Sequence, residues 1–201
     1  SDPMAIGEQI AELPTALGVF GLGHLGQAYL WAAASLPYTD ISAVRLTLYD
    51  NDTVEEPNVE TGALLTTADI GLPKTRAVSA WLEKIGFQTR IIERWLTEEY
   101  RLSDEEPRLA LSGFDDNRAR QWLTQSGALR IFDSGLGGQA SNFDTIAYHT
   151  WPNLRPLSEL WRVESESERR VAEDQRSKWL AANPGYAALD VAHDCGLIEL
   201  S

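Results

Sequence analysis

Residues 16–26, ALGVFGLGHLG, are the stretch that decides the fold. Residues 16–20 are a short apolar run without charge, as expected for a strand buried on both faces of a parallel sheet. Gly21, Gly23 and Gly26 follow with the spacing G-x-G-x-x-G. In such a turn the first glycine permits the tight bend, the second lets a phosphate approach the backbone, and the third lets the next helix pack closely. The stretch therefore predicts a nucleotide-binding turn.

A second apolar run, residues 44–49, ends at Asp50. A carboxylate at the end of the second strand is placed to hydrogen-bond the ribose hydroxyls of a bound nucleotide. Glycine spacing alone is weakly specific, because it also occurs where helices merely pack tightly. The order strand, turn, helix, strand and aspartate favours the nucleotide site.

Composition limits the class of protein. The chain has 201 residues, of which 43% are hydrophobic, and this is enough for one domain or one domain with an appendage. The net charge of −13 disfavours binding to nucleic acid. No apolar stretch approaches membrane-spanning length and no basic residue precedes Arg45, so neither a membrane helix nor a secretory signal is indicated. We therefore expect a cytoplasmic protein that does not contact a membrane.

Two further features concern the ends of the chain. Residues 1–3 precede Met4 and are typical of an expression remnant, so the natural chain is expected to begin at Met4. Cys195 is the single cysteine, which permits no internal disulfide and no multi-cysteine zinc site within one chain. No structural zinc is expected. Acidic neighbours disfavour the Cys195 thiolate, so we expect this thiol to be a bystander.

The rest of the pattern predicts alternating strands and helices. Helices are expected at residues 24–35, at 74–85 before Gly86, and from after Asn117 to Gly127. Strands are expected at 87–95, 109–114, 129–132 and 143–148, and an acidic, solvated connection at 97–106. Such alternation predicts an α/β fold with a doubly wound, mostly parallel, Rossmann-like sheet and helices on both faces.

The composition changes after Trp151. Residues 152–201 are charged and predicted to be largely helical, so we divide the chain into a nucleotide-binding α/β domain, residues 4–151, and a C-terminal helical extension, residues 152–201, packed on or beside it. Residues 164–176 are most simply a solvated helix face, with a docking surface as the alternative.

Polar residues downstream of the turn carry a resemblance to a known family. The relevant positions are Asp50 and Asp52, one residue apart, then Asn58, the helix start GLPK that ends at Lys74, and the strand-end sequence Asp115-Asp116-Asn117. Over residues 16–151 this pattern resembles the ThiF, MoeB and HesA superfamily of ATP-dependent activators related to ubiquitin-activating enzymes. Asp116 preserves the family's aspartate–asparagine pair, whereas Asp115 preserves its spacing to Arg120, and both registers stay open.

The resemblance implies a reaction and roles for these residues. Family members bind ATP and magnesium, adenylate the C-terminal carboxylate of a ubiquitin-like or sulfur-carrier protein, and pair as homo- or hetero-dimers. Gly21, Gly23, Gly26, Asp50, Asp52, Asn58 and Lys74 would bind the nucleotide, Asp115 or Asp116 would bind magnesium, and Arg120 would join Lys74 in catalysis. In the alternative interpretation a strand-end aspartate serves only as a helix cap, and Lys74 is an exposed residue of a first helical turn.

The chain also departs from the family pattern. Thr61 and Gly62 replace an arginine and a glutamine, and no arginine precedes Arg45. A partner chain, or Arg76, Arg118 or Arg120, would have to supply the missing charge. Three functions therefore remain: an ATP-dependent adenylating enzyme, a catalytically degenerate binding or scaffold subunit, and a nicotinamide-dependent oxidoreductase that uses the same turn.

Overall fold

The computed structural model describes residues 12–136, 146–163 and 165–185, so Cys195 lies outside the described residues. The strands are β1 (Ala16–Phe20), β2 (Arg45–Tyr49), β3 (Gln88–Ile92), β4 (Leu109–Ser112), β5 (Arg130–Leu136) and β6 (Ile146–Trp151). The helices are α1 (His24–Ala34), α2 (Glu56–Thr61), α3 (Lys74–Ile85), α4 (Asn117–Gln125), α5 (Leu157–Leu160) and α6 (Glu166–Ala182).

The described strands form one six-stranded sheet in the order β3-β2-β1-β4-β5-β6. The strands β1 to β5 are parallel, and β6 is antiparallel to β5. The prediction of a doubly wound, mostly parallel sheet is confirmed. Several strand predictions were wrong at their ends. β3 ends at Ile92 and β4 at Ser112, short of the predicted ends at Trp95 and Phe114. β5 continues past Phe132 to Leu136, and β6 continues past Tyr148 to Trp151, because these two strands pair along their whole described length.

Each face of the sheet has its own apolar core. Successive side chains of a strand point to opposite faces, so Val19 packs towards α1 and α3 with Leu46 and Leu82, while Phe20 packs towards α4 with Leu123. The Phe20 ring stacks on Tyr49 with 3.9 Å between ring centroids. Full burial of one such side chain contributes about 1.5–3 kcal/mol. The two cores hold the carboxyl ends of β1, β2 and β4 in fixed positions.

The connection between β3 and β4 is anchored by a buried carboxylate. Glu106 accepts hydrogen bonds from the hydroxyls of Tyr49 (2.9 Å) and Tyr100 (3.0 Å) and from the backbone N–H of Ser103 (2.6 Å). Burial alone would raise the pKa of Glu106, but these hydrogen bonds outweigh it and hold that pKa below its ordinary value. The prediction of a solvated connection at residues 97–106 was therefore wrong at this residue, because the two tyrosines bring its carboxylate inside.

The chain returns to the sheet after β6. Leu160 and Trp161, at the end of α5, are both buried. Gln121 of α4 donates a hydrogen bond to the Trp161 carbonyl (2.7 Å), and Asn117 donates one to the Arg162 carbonyl (2.9 Å). This segment therefore packs on the α/β unit, whereas the domain boundary at residue 151 stays a prediction. None of the helices in the described ranges is long and apolar enough to cross a membrane.

Candidate functional site

A cleft of about 960 Å³ lies at the carboxyl ends of β1, β2, β4 and β5. The sheet order runs from β1 to β2 in one direction and from β1 to β4 in the other, and open α/β sheets bind ligands at this kind of switch point. Gly26 lies outside the cleft lining. The other nine residues predicted for the site line the cleft: Gly21, Gly23, Asp50, Asp52, Asn58, Lys74, Asp115, Asp116 and Arg120.

The three glycines of the turn differ in what surrounds them. Gly21 adopts a φ of 81°, which favours glycine. A Cβ atom at Gly26 would lie 1.9 Å from the Gly21 carbonyl oxygen, so α1 could not pack this closely on the turn with any larger residue. A Cβ atom at Gly23 would meet no atom within 4 Å. Gly23, at the start of α1, thus presents an open backbone to the cleft.

Two backbone N–H groups hold the Asp50 carboxylate, one from the glycine turn and one from the loop after β2. Its carboxylate accepts hydrogen bonds from the backbone N–H groups of Leu22 (2.6 Å) and Asp52 (2.8 Å). Burial raises the pKa of Asp50, and the two N–H donors and the Lys74 ammonium oppose this shift only in part. Asp50 therefore links the glycine turn to the loop after β2, and a lone pair on each oxygen is left for a ligand hydroxyl.

Lys74 forms an ion pair with Asp52 inside the cleft. The Lys74 Nζ atom lies 3.0 Å from Asp52 Oδ2, and the Lys74 backbone N–H donates to the Asp52 carbonyl (2.9 Å). Lys74 is only 8% exposed. The prediction of an exposed lysine was wrong, because an antiparallel bridge between Thr53 and Pro73 draws the start of α3 against the loop after β2. The ammonium is thereby held at the edge of the cleft.

Hydrogen bonding differs among three further residues of the cleft, Asn58, Asp115 and Asp116. Asn58 Oδ1 accepts from the Glu55 backbone N–H (2.9 Å) and so stabilises the start of α2. Asp116 Oδ1 accepts from the Arg118 backbone N–H (2.8 Å) and caps α4, which is the structural role considered above for a strand-end aspartate. Asp115 makes no hydrogen bond within the described ranges, is exposed and lines the cleft.

Arg120 forms an ion pair with Asp133, an aspartate that was not selected from the sequence. Arg120 Nε lies 2.9 Å from Asp133 Oδ1, and Arg120 Nη1 donates to Asn117 Oδ1 (2.7 Å). The buried Trp161 indole donates to Asp133 Oδ2 (3.0 Å), and His149 Nδ1 lies 3.6 Å from the same oxygen. This buried cluster closes one end of the cleft.

Two of these residues had a weak signal in the sequence. Asp133 follows an apolar run, as Asp50 does, but the strand predicted at residues 129–132 ends just before it. Trp161 is a single aromatic residue in a charged segment and gave no indication of its partner.

The remaining arginines are distributed unevenly around the cleft. Arg76 pairs with Glu93 (2.9 Å) outside the cleft lining, and Arg118 also lies outside it. Arg94, two residues after the end of β3, does line the cleft. Arg76, Arg118 and Arg120 were expected to supply the missing charge, but none of them is an unpaired cation in the cleft lining. Arg94, which was not selected from the sequence, is exposed and lies in the lining.

The cleft carries more acidic than basic side chains. Its described lining contains five aspartates (Asp50, Asp52, Asp115, Asp116 and Asp133) and three strongly basic residues (Lys74, Arg94 and Arg120), two of which are already paired. No group of three potential metal ligands occurs in the described part of the chain. Magnesium usually needs only one or two carboxylates when phosphate oxygens complete its shell. Asp115 and Asp116 fit this requirement.

A glycine turn at the switch point of a doubly wound sheet, with acidic residues at the strand ends, defines a Rossmann-like α/β protein. Comparisons with known proteins confirm the resemblance to E1-like ThiF/MoeB proteins that the sequence indicates. A model of the BilD C-terminal domain matches residues 13–201, and the chain belongs to that family. The chain is also 35% identical over 195 residues to the bacterial E1-like protein BilD of Collimonas sp. (strain OK412). The match covers 96% of this chain and 41% of that protein, so the chain spans about two fifths of its relative's length.

A solved structure of TcdA shares the fold at low sequence identity. Escherichia coli tRNA N6-threonylcarbamoyladenosine dehydratase, TcdA, in complex with ATP has a TM-score of 0.52 and 18% identity, covering 62% of this chain and 53% of TcdA. E. coli MccB with ATP has a TM-score of 0.47 and 16% identity, covering 60% of this chain and 37% of MccB.

Proposed function

We propose that the cleft binds ATP with magnesium and that the chain takes part in the adenylation of a carboxylate, the C-terminus of a ubiquitin-like or sulfur-carrier protein. The observation that carries the proposal is the convergence of the open backbone at Gly23, Asp50, the Asp52–Lys74 pair and Asp115 on one cleft. The E1-like relative and the ATP complex of TcdA, which has the same fold, support it.

The polar groups of the cleft suit different parts of this nucleotide. The N–H groups at the start of α1 would receive phosphate oxygens, as helix N-termini do. Asp50 would accept a ribose hydroxyl, and Lys74 would neutralise phosphate charge from its position beside Asp52. In adenylation a carboxylate oxygen attacks the α-phosphorus and pyrophosphate leaves, so the site must hold two anionic reactants close together.

Magnesium is part of the proposal because the cleft itself is acidic. Asp115 would be the main ligand and Asp116 the second, since one oxygen of Asp116 already caps α4. A divalent cation there would supply the charge neutralisation that a triphosphate requires in a cleft whose described lining is more acidic than basic.

A second function is favoured by one specific observation. Arg120 is held by Asp133 and Asn117 and so would contribute little charge to a triphosphate. A chain with so few available cations would bind nucleotide and serve as the partner of a catalytic subunit. We propose pairing with a second chain or domain in either case, and the larger part of the relative's length that lies outside the matched region is one source of the missing arginines.

The test is a nucleotide panel read by thermal unfolding, followed by ATP–pyrophosphate exchange. Magnesium-ATP at 100 times its Kd should stabilise the protein by about 2.7 kcal/mol, whereas NAD and NADP should not. Asp115→Asn should abolish the magnesium-dependent part of ATP binding, with Glu159→Gln, a surface carboxylate outside the cleft, as the matched control. Stabilisation by NAD alone would overturn the proposal.

Exchange separates the two functions. If the chain is an enzyme, exchange should be weak alone and rise when a carrier or partner protein is added. Binding of magnesium-ATP without exchange under any of these conditions would establish the scaffold function instead.

A further inference from the structure

The segment after β3 forms one wall of the cleft. The backbone N–H of Asp50 donates to the carbonyl of Ile92, the last residue of β3, at 3.4 Å. The chain therefore leaves the sheet directly beside the residue that we assign to the ribose. Arg94, Trp95 and Leu96 follow and all three line the cleft.

Trp95 differs from the other large aromatic residues of the cleft because it is not packed into the core. Its side chain is 69% exposed, whereas Phe20, Tyr49 and Trp161 are buried. The next residue, Leu96, packs against the core on the α4 side of the sheet. The exposed indole thus lies in the cleft lining next to a residue that is packed against the core.

The backbone that carries Trp95 is fixed further along the chain. The Tyr100 ring meets Tyr49 edge-on, with centroids 6.3 Å apart and an interplanar angle of 88°. The hydroxyls of both tyrosines donate to the same oxygen of the buried Glu106. The segment that begins at Trp95 is thus anchored to the core at Tyr100.

We propose that Trp95 is the stacking platform for the purine ring of the nucleotide. The proposal deepens the ATP site and rests on it. Gly23 and Lys74 place the phosphates on one side of Asp50, so a ribose on Asp50 directs the base towards the other side, where the segment after β3 lies. An exposed indole offers a flat, polarisable face that bases stack upon. The neighbouring Arg94 adds a guanidinium to this wall.

The experiment compares magnesium-ATP binding, measured by calorimetry, in the parent and in four variants. Trp95→Ala removes the platform, Trp95→Leu keeps apolar bulk without a ring, and Trp95→Phe keeps a smaller ring. Trp31→Ala is the matched control, since Trp31 is 58% exposed on α1 and lies outside the cleft lining. Thermal unfolding without nucleotide checks that each variant is folded.

We expect ATP affinity to fall about tenfold or more in Trp95→Ala and Trp95→Leu, to recover largely in Trp95→Phe, and to be unchanged in Trp31→Ala. Unchanged affinity in Trp95→Ala overturns the platform and leaves the ATP site standing. Equal losses in the phenylalanine and alanine variants also overturn it, and so does a loss of carrier-protein binding without a loss of ATP binding. Absence of ATP binding in the parent refutes the proposed function itself.

Discussion

Replacing Lys74 by methionine tests the centre of the proposed site. Methionine keeps most of the apolar length of the side chain, so the buried stem still packs, but the ammonium 3.0 Å from Asp52 is lost. The Asp52 side chain is 52% exposed and stays solvated without its partner. The pair thus resembles a surface ion pair, and the free energy of unfolding should fall by less than about 1 kcal/mol.

The effect on nucleotide affinity should be larger. A charge-assisted contact to a phosphate contributes about 1.5–3 kcal/mol, and at 1.4 kcal/mol per tenfold this is roughly a 10- to 150-fold loss of magnesium-ATP affinity. Calorimetric titration measures the affinity, and urea unfolding measures the stability. Lys84→Met is the matched control, because Lys84 is exposed in the last turn of α3 and lies outside the cleft lining, and its ATP affinity should stay the same. Equal ATP affinity in Lys74→Met and the parent would refute the phosphate role of Lys74.

Three further outcomes follow from the geometry. Gly26→Ala should destabilise the protein by about 1–3 kcal/mol in urea unfolding, because the added Cβ would overlap a backbone oxygen. Gly23→Ala should change the stability by less than about 0.5 kcal/mol, because a Cβ there meets open space. Equal effects of the two substitutions would contradict the packing argument. Hydrogen bonds lower the pKa of Glu106, so the Glu106 carboxylate stabilises the fold above its ordinary pKa, and this stabilisation is lost as pH falls through the lowered pKa. Glu106→Gln should therefore flatten the acid limb of the stability–pH curve. An acid limb that is the same in the variant and the parent would contradict this. Asp133→Ala should cost about 3–5 kcal/mol in urea unfolding because Arg120 is left buried without its partner, and a loss below about 1 kcal/mol would show that the pair is relaxed.

The sequence predicted what is encoded locally. The glycine turn, the strand before it and the aspartate after β2 are short patterns in which backbone conformation and burial depend on neighbouring residues. Their arrangement around a parallel sheet then follows from the handedness of strand–helix–strand units. The cleft was therefore predictable in its position, and nine of the ten residues selected from the sequence line it.

Contacts between distant parts of the chain were not predictable in this way. Lys74 was expected to be exposed because nothing in a helix start indicates a bridge to the loop after β2. Arg120 was expected to be an available cation because its partner, Asp133, lies on another element, beyond the end of the strand predicted at residues 129–132. Arg94 and Trp95 follow an edge strand, and only the pairing of β3 with β2 shows that the chain leaves the sheet beside Asp50.

The cluster at the end of the cleft also bears on how this family can diverge. Arg120, Asp133 and Trp161 lie on α4, β5 and the segment after β6, and they share one carboxylate. Changing any one of them alone leaves a buried charge or a buried donor without its partner, and buried pairs of this kind are strongly non-additive. A lineage can therefore exchange them for apolar residues only together, so among homologous chains the three positions should be inherited as a single unit.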